Sequence, residues 1–209
     1  MMNSYSQLKL LIDYIQEMYL SVTDKWEHQN KYNINLKKSL VSHINNNDSI
    51  YKYICEYVSY LNEQTSDILL GLPDVCSYSV NARIKTYNSI EYKIQNYTTE
   101  KHGYGQVPIN KCFNDLFGVR IFLEEPLTFE EIHTFVDNNY NRKYKCINSS
   151  KLDYIATHIY FKKNNHTFQW ELQIWNQCDK ESNFDSHKKY KQEYTNWEKE
   201  SKEGGIING

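Results

Sequence analysis

The chain has no C-x-x-C pair, no long uninterrupted apolar run and no marked excess of charge of one sign. Its five cysteines, Cys55, Cys76, Cys112, Cys146 and Cys178, are odd in number and scattered. That pattern argues against a disulfide scaffold or a structural zinc site and points to a reducing cytoplasm. The first apolar stretch, Gln7-Leu8-Lys9-Leu10-Leu11-Ile12-Asp13, is broken by charge, so neither a signal peptide nor a membrane span is expected. A net charge of -2, from 24 basic and 26 acidic residues, excludes a polycation that coats nucleic acid by bulk charge. Any polyanionic partner must be met by a local patch.

At 209 residues the chain suits one domain, or one domain with a helical appendage. Leu8, Leu11, Ile12, Ile15, Met18 and Tyr19 recur at helical spacing and predict a helix from Ser4, its N-cap, to Val22. Residues 24–49 are polar and Asn-rich and read as an irregular or partly helical connection. Asp48 or Ser49 would cap a second helix whose stripe of Ile50, Tyr53, Ile54, Tyr57, Val58 and Leu61 runs to Thr65, before Gly71 and Pro73 close it. Residues 1–74 are thus expected to form a helical layer.

Beyond residue 75 the pattern changes to strands alternating with helices. Tyr78–Lys85 alternates polar and apolar side chains, a helix capped by Thr86 or Asn88 follows, and Phe117–Leu123 has the β-branched and aromatic content of a strand. Thr128 and Glu131 form a capping box for a helix through Val136. Tyr144–Ile147, Ala156–Lys162 and Phe168–Trp175 read as further strands, the last two as a hairpin across Lys163-Asn164-Asn165-His166, and a final helix is predicted over 186–202. These elements imply an α+β fold with a mixed or mainly antiparallel sheet flanked by helices, over 75–203, with a flexible tail at 204–209.

Four groups of residues point to chemistry. Arg83 and Lys85 share a face of an extended segment, and Ser89 and Lys93 share a face of the next helix. Two cations and a hydroxyl near a helix N-terminus suit a polyphosphate; an ordinary basic surface is the plainer reading. Asp115 precedes a strand on which Gly118 would let a ligand approach the backbone and Arg120 faces away from Val119 and Ile121. An acid for Mg²⁺ and a guanidinium for a base or phosphate make a sensible pair. Tyr154 and His158 are four apart. On Phe168–Trp175, alternation puts Gln169, Glu171, Gln173 and Trp175 opposite Phe168, Trp170, Leu172 and Ile174, with His187, Tyr190 and Lys191 beyond. His and Tyr also sit satisfied in many cores, and a lone Glu on an amphipathic strand is commonly a solvated edge.

Five strings taken in order resemble the synthetase domain of the RelA/SpoT alarmone synthetases, over about Tyr78 to Tyr194. They are Arg-x-Lys-x-x-x-Ser-x-x-x-Lys from Arg83 to Lys93, Asp-x-x-Gly-x-Arg from Asp115 to Arg120, Tyr-x-x-x-His at Tyr154, Glu-x-Gln-Ile at Glu171, and His-x-x-Tyr-Lys at His187. No His-Asp dipeptide occurs, so the chain resembles the single-domain small synthetases without the hydrolase or regulatory regions of the long members. The resemblance implies a nucleotidyltransferase-like fold and transfer of the β,γ-pyrophosphate of ATP to the 3′-hydroxyl of a guanine nucleotide, GDP or GTP, giving (p)ppGpp and AMP.

By the same resemblance Arg83 and Arg120 would sandwich the adenine. Lys85, Ser89 and Lys93 would hold the ATP phosphates, and Asp115 and Glu171 would bind Mg²⁺, with Glu171 also polarising the attacking hydroxyl. Tyr154 would stack on the acceptor base, with His158, Gln173, His187 and Lys191 lining the site. The family commonly has Gly before that Tyr; here it is Asp153, which puts the acceptor pocket, more than the ATP site, in question. Some relatives are toxins that modify adenine nucleotides or the 3′ end of tRNA and are neutralised by an antitoxin, and others form homo-oligomers. An inactive nucleotide-binding module is the alternative outside enzymes.

Overall fold

A computed structural model describes residues 3–72, 80–186 and 188. Helix α1 spans Ser4–Gln29 and α2 spans Asp48–Leu70. Both outrun their sequence-based ends because the apolar stripe continues: Val22 and Trp26 extend the buried face of α1, and Ile68, two turns beyond Leu61, extends that of α2. Both caps also lie one residue earlier than expected. The side chain of Asn3 accepts from the Ser6 N–H and that of Asn47 from the Ser49 N–H, while Ser4 is already helical and buried.

Five strands follow among the described residues: β1 (Val80–Ile84), β2 (Phe117–Leu123), β3 (Lys145–Asn148), β4 (Thr157–Phe161) and β5 (Trp170–Asn176). They lie side by side in the order β1-β2-β5-β4-β3. Only the β2–β5 pair is parallel; the other three are antiparallel. The fold is therefore α+β with a mixed, mainly antiparallel sheet. Between the strands lie α3 (Tyr87–Tyr97), the single turn α4 (Ile109–Cys112) and α5 (Phe129–Tyr140). Thr128 and Glu131 form the expected capping box for α5.

One face of the sheet is the core. Phe117, Val119, Trp170, Leu172 and Ile159 pack with the buried faces of α1, α2 and α5 in a single continuous cluster, which gains about 25 cal/mol for each Å² of apolar surface removed from water. Buried aromatics carry their polar atoms into bonds there. Trp170 donates to the Tyr57 hydroxyl at 2.9 Å, and Tyr19 donates to the Phe168 carbonyl at 3.2 Å. Phe168 is buried but lies before β5, which starts two residues later than expected. Residues 180–186 are already helical, earlier than the predicted start at 186, and most of that predicted helix lies outside the described residues. The opposite face of the sheet carries the polar side chains.

Candidate active site

Strand register sorts those polar side chains into two rows. Arg83 pairs with Gly118, Gly118 with Glu171, Glu171 with Tyr160, and Tyr160 with Lys145. In the adjoining row Asn81, Arg120, Gln173 and His158 are opposed in turn. Because side chains alternate along a strand, both rows project from the same face, away from the helical core. Gly118 stands in the middle of the first row. A Cβ there would lie 3.8 Å from Glu171 Oε2, an ordinary contact, so the fold does not require glycine; its lack of a side chain leaves room over the sheet beside the glutamate.

At the β1 end, Asp115 gathers the cations. Lys85 Nζ donates to its Oδ2 at 2.7 Å and Lys93 Nζ to its Oδ1 at 2.9 Å, while an Arg83 guanidinium nitrogen lies 3.9 Å away. The Lys85 backbone N–H donates to the Leu116 carbonyl at 2.9 Å, which fixes the end of β1 beside the turn that carries Asp115. Lys93 arrives from the second turn of α3, whose N-cap Thr86 accepts from the Ser89 N–H at 3.3 Å. Burial alone would raise the Asp115 carboxyl, but Lys93 and Lys85 outweigh it and hold the acid well below the usual carboxylate range. Burial likewise lowers Lys85, while Asp115 opposes the shift.

Glu171 is only 4% exposed yet fully engaged. His158 Nδ1 and the Tyr160 hydroxyl each lie 2.8 Å from its Oε1, and Gln173 Nε2 donates to Oε2 at 2.6 Å. Burial pushes the Glu171 carboxyl up; the bonds from His158 and Gln173 bring it below its ordinary value, with the Asp115 charge acting in the opposite sense. The consequence is an ionised carboxylate in a nearly dry place. His158 Nε2 lies 3.0 Å from the Tyr154 hydroxyl, and burial raises that phenol to about 12.

Arg120 is locked from several sides. Its Nε and one terminal nitrogen donate to Gln173 Oε1 at 3.0 and 2.8 Å, and its guanidinium carbon lies 3.7 Å from the centre of the Trp175 ring. Burial lowers this guanidinium to about 10. The Trp175 indole N–H donates to the Tyr154 hydroxyl at 3.3 Å. Tyr154 itself closes a tight hairpin in which Lys151 and Tyr154 exchange backbone hydrogen bonds of 2.8 and 2.9 Å, with Leu152 at φ 51 and fully exposed at its tip. Asp153 shares that exposed tip.

Of the twelve residues picked from the sequence, Arg83, Lys85, Lys93, Asp115, Arg120, Tyr154, His158, Glu171 and Gln173 are joined by these contacts and rows. Ser89 stands in the first turn of α3, its hydroxyl 2.9 Å from that of Thr86. His187 and Lys191 lie outside the described residues. Two engaged side chains were missed. Tyr160 is two residues from His158, so strand alternation alone would have put it on the same face; Trp175 falls on the Gln173 face by the same alternation but was given no part in the site.

Lysines that a carboxylate holds in place, with a second ionised acid beyond a bare glycine, fit a nucleotide polyphosphate whose charge must be met while a neighbouring group reacts. Comparison with known proteins gives the particular family. The family model described as "Region found in RelA / SpoT proteins" matches residues 82–195, more than half of the chain, and the chain belongs to the RelA/SpoT family. No curated protein matches it in sequence. Similar solved structures include small alarmone synthetase 1 from Bacillus subtilis bound to its product pppGpp, at 14% identity and a TM-score of 0.39 over 78% of this chain and 100% of that one. The same enzyme bound to AMPCPP matches at 15% identity and 0.35 over 71% and 80%. Small alarmone synthetase 2 from Bacillus subtilis matches at 15% and 0.38 over 70% and 82%.

Proposed function

We propose that this protein transfers the β,γ-pyrophosphate of ATP to the 3′-hydroxyl of a guanine nucleotide, GDP or GTP, releasing AMP. The observation that carries the proposal is the buried, ionised Glu171, one bare glycine away in its row from the Arg83 end where Lys85 and Lys93 converge on Asp115. Lys85 and Lys93 meet the phosphate charge, with Ser89 in the first turn of α3 as a further donor. Arg83 and the flat, pinned Arg120 hold the adenine, as planar guanidinium groups stack well on aromatic faces. Tyr154 carries the acceptor base. Glu171, fixed by His158, Tyr160 and Gln173, accepts the proton of the attacking hydroxyl. In-line placement and charge neutralisation supply most of what such a transfer needs.

The donor set also suits Mg²⁺. Among the described residues no three His, Cys, Asp or Glu side chains converge, but two carboxylates are what this hard cation takes when substrate phosphates and water complete its shell. Asp115 and Glu171 would hold it, and it would spread the charge on the transferred phosphates. Asp115 is engaged by the two lysines as the chain stands; with ATP bound, the phosphates compete for those same lysines.

A second reading, in which the acceptor is the 3′ end of tRNA and a protein antitoxin restrains the enzyme, draws on one feature. Lys145 on the edge strand β3 continues the Glu171 row beyond Tyr160, and the exposed Lys151 pairs with Tyr154, so cations extend past the acceptor position. The test is to supply Mg²⁺ and ATP labelled in its terminal phosphates with GDP, GTP, ADP or deacylated tRNA separately. Label on GDP or GTP is expected. Label on tRNA alone would move the acceptor to RNA, and no label on any acceptor would leave only a nucleotide-binding module.

A further inference from the structure

Trp175 belongs to none of the roles above, yet it touches both sides of the site. It is fully buried on β5. The Arg120 guanidinium lies on its ring at 3.7 Å, and its indole N–H donates to the Tyr154 hydroxyl at 3.3 Å, the two rings meeting edge-on at 84°. Phe122 and Phe184 meet it edge-on at 5.6 and 5.3 Å, so the indole cannot tilt without displacing two other rings. Together with Ala156 these residues form a small apolar cluster separate from the main core. That cluster stands on the polar face of the sheet, where Phe184 of the helical residues 180–186 packs against it.

We infer that Trp175 is a positioning residue that ties the donor side of the site to the acceptor side, holding the Arg120 guanidinium flat and the Tyr154 ring in place through one rigid indole. A guanidinium confined between a ring face and the Gln173 oxygen keeps one plane, and a base stacking parallel to that plane meets a surface already oriented. A phenol held by an indole N–H at one lone pair has its ring orientation fixed too. Occupation of one side therefore restricts the other through shared contacts, which is a coupling between sites carried by named atoms.

The inference rests on the proposed donor and acceptor sides, so its test reads binding rather than turnover. Affinities for a non-hydrolysable ATP analogue and for GDP are measured by calorimetry on wild type, Trp175→Phe and Trp175→Leu, each checked for folding by circular dichroism and thermal melting. Trp175→Phe keeps a six-membered ring beneath Arg120 while removing the N–H and the smaller ring that carries it; it should leave analogue affinity within about twofold and weaken GDP about fivefold. Trp175→Leu removes both contacts and should weaken the analogue about tenfold as well. In wild type each ligand should strengthen the other, and that factor should fall in Trp175→Phe.

If the Phe variant weakens both ligands equally, or changes neither, the inference is overturned even should the Leu variant fail to fold. Wild type that binds both ligands but transfers nothing would sink the proposed reaction while leaving this test intact. Wild type that binds neither would sink both.

Discussion

Gln173 donates from Nε2 to Glu171 Oε2 at 2.6 Å while its other amide atom takes two hydrogens from Arg120. One neutral side chain thus keeps a buried acid and a half-buried cation apart and in register. Gln173→Glu replaces that donor with a second carboxylate beside Glu171. A like charge at this distance raises the Glu171 pKa, so the acidic limb of the rate profile should move to higher pH. A pH–rate series on the purified variant checks this; an unmoved limb would contradict the role given to Gln173.

Glu171→Gln should abolish transfer and leave the fold in place, because the Tyr160 hydroxyl can donate to an amide oxygen as it does to the carboxylate. Activity assayed beside a thermal melt separates the two effects. Undiminished product formation would remove Glu171 from the chemistry.

Asp115→Asn is a different case. Lys85 and Lys93 both rest on that carboxylate, and its side chain is only 16% exposed. Removing one partner of a buried ion cluster leaves uncompensated charge at a cost of about 3 kcal/mol. Urea unfolding should show a loss of that order together with loss of transfer. The same cluster gives the wild type a pH dependence. Since the folded Asp115 carboxyl lies below its unfolded value, its stabilisation is complete above the ordinary carboxylate range and drains away as the pH falls through and below it. Asp115→Asn should flatten that acid limb of stability; an equally steep limb would contradict the assignment.

Gly118→Ala tests whether the bare glycine serves the ligand. A methyl there meets Glu171 Oε2 at 3.8 Å, so the fold should tolerate it with a stability change within about 1 kcal/mol, while transfer falls because the methyl occupies the space beside Glu171. A variant as active as wild type would show that no ligand approaches the backbone at this point.

Arg83→Ala should weaken ATP binding with little effect on folding, since the side chain is half exposed and 3.9 Å from Asp115. Loss of one stacking cation corresponds to roughly a fivefold to thirtyfold rise in the ATP dissociation constant. An unchanged constant would count against the adenine-holding role.

Much of this was legible in the chain. The bounds of β2 followed from its β-branched and aromatic run, and the capping box of α5 from Thr128 and Glu131. The facing of Glu171 and Gln173 away from the core followed from strict alternation on β5. What escaped is what depends on partners far apart in sequence. Asp115 receives Lys85 from 30 residues away and Lys93 from 22, and no periodicity encodes that meeting. Tyr160 was hidden because a buried tyrosine beside Ile159 and Phe161 reads as core. Trp175 fell on the correct face, but only the register of β2 against β5 brings it under Arg120. The long ends of α1 and α2 were missed because Trp26 is an isolated apolar residue in a polar stretch, and Ile68 lies beyond the polar run Glu63–Asp67 and just before Gly71 and Pro73, which read as a stop.

The most direct test of the central claim follows the fate of ATP labelled in its terminal phosphates, with Mg²⁺ and GDP, in wild type and Glu171→Gln. The account predicts one AMP formed for each labelled guanine nucleotide in wild type, and neither product in the variant. Appearance of ADP with a single transferred phosphoryl group, or equal AMP and labelled product in the Glu171→Gln protein, would contradict it.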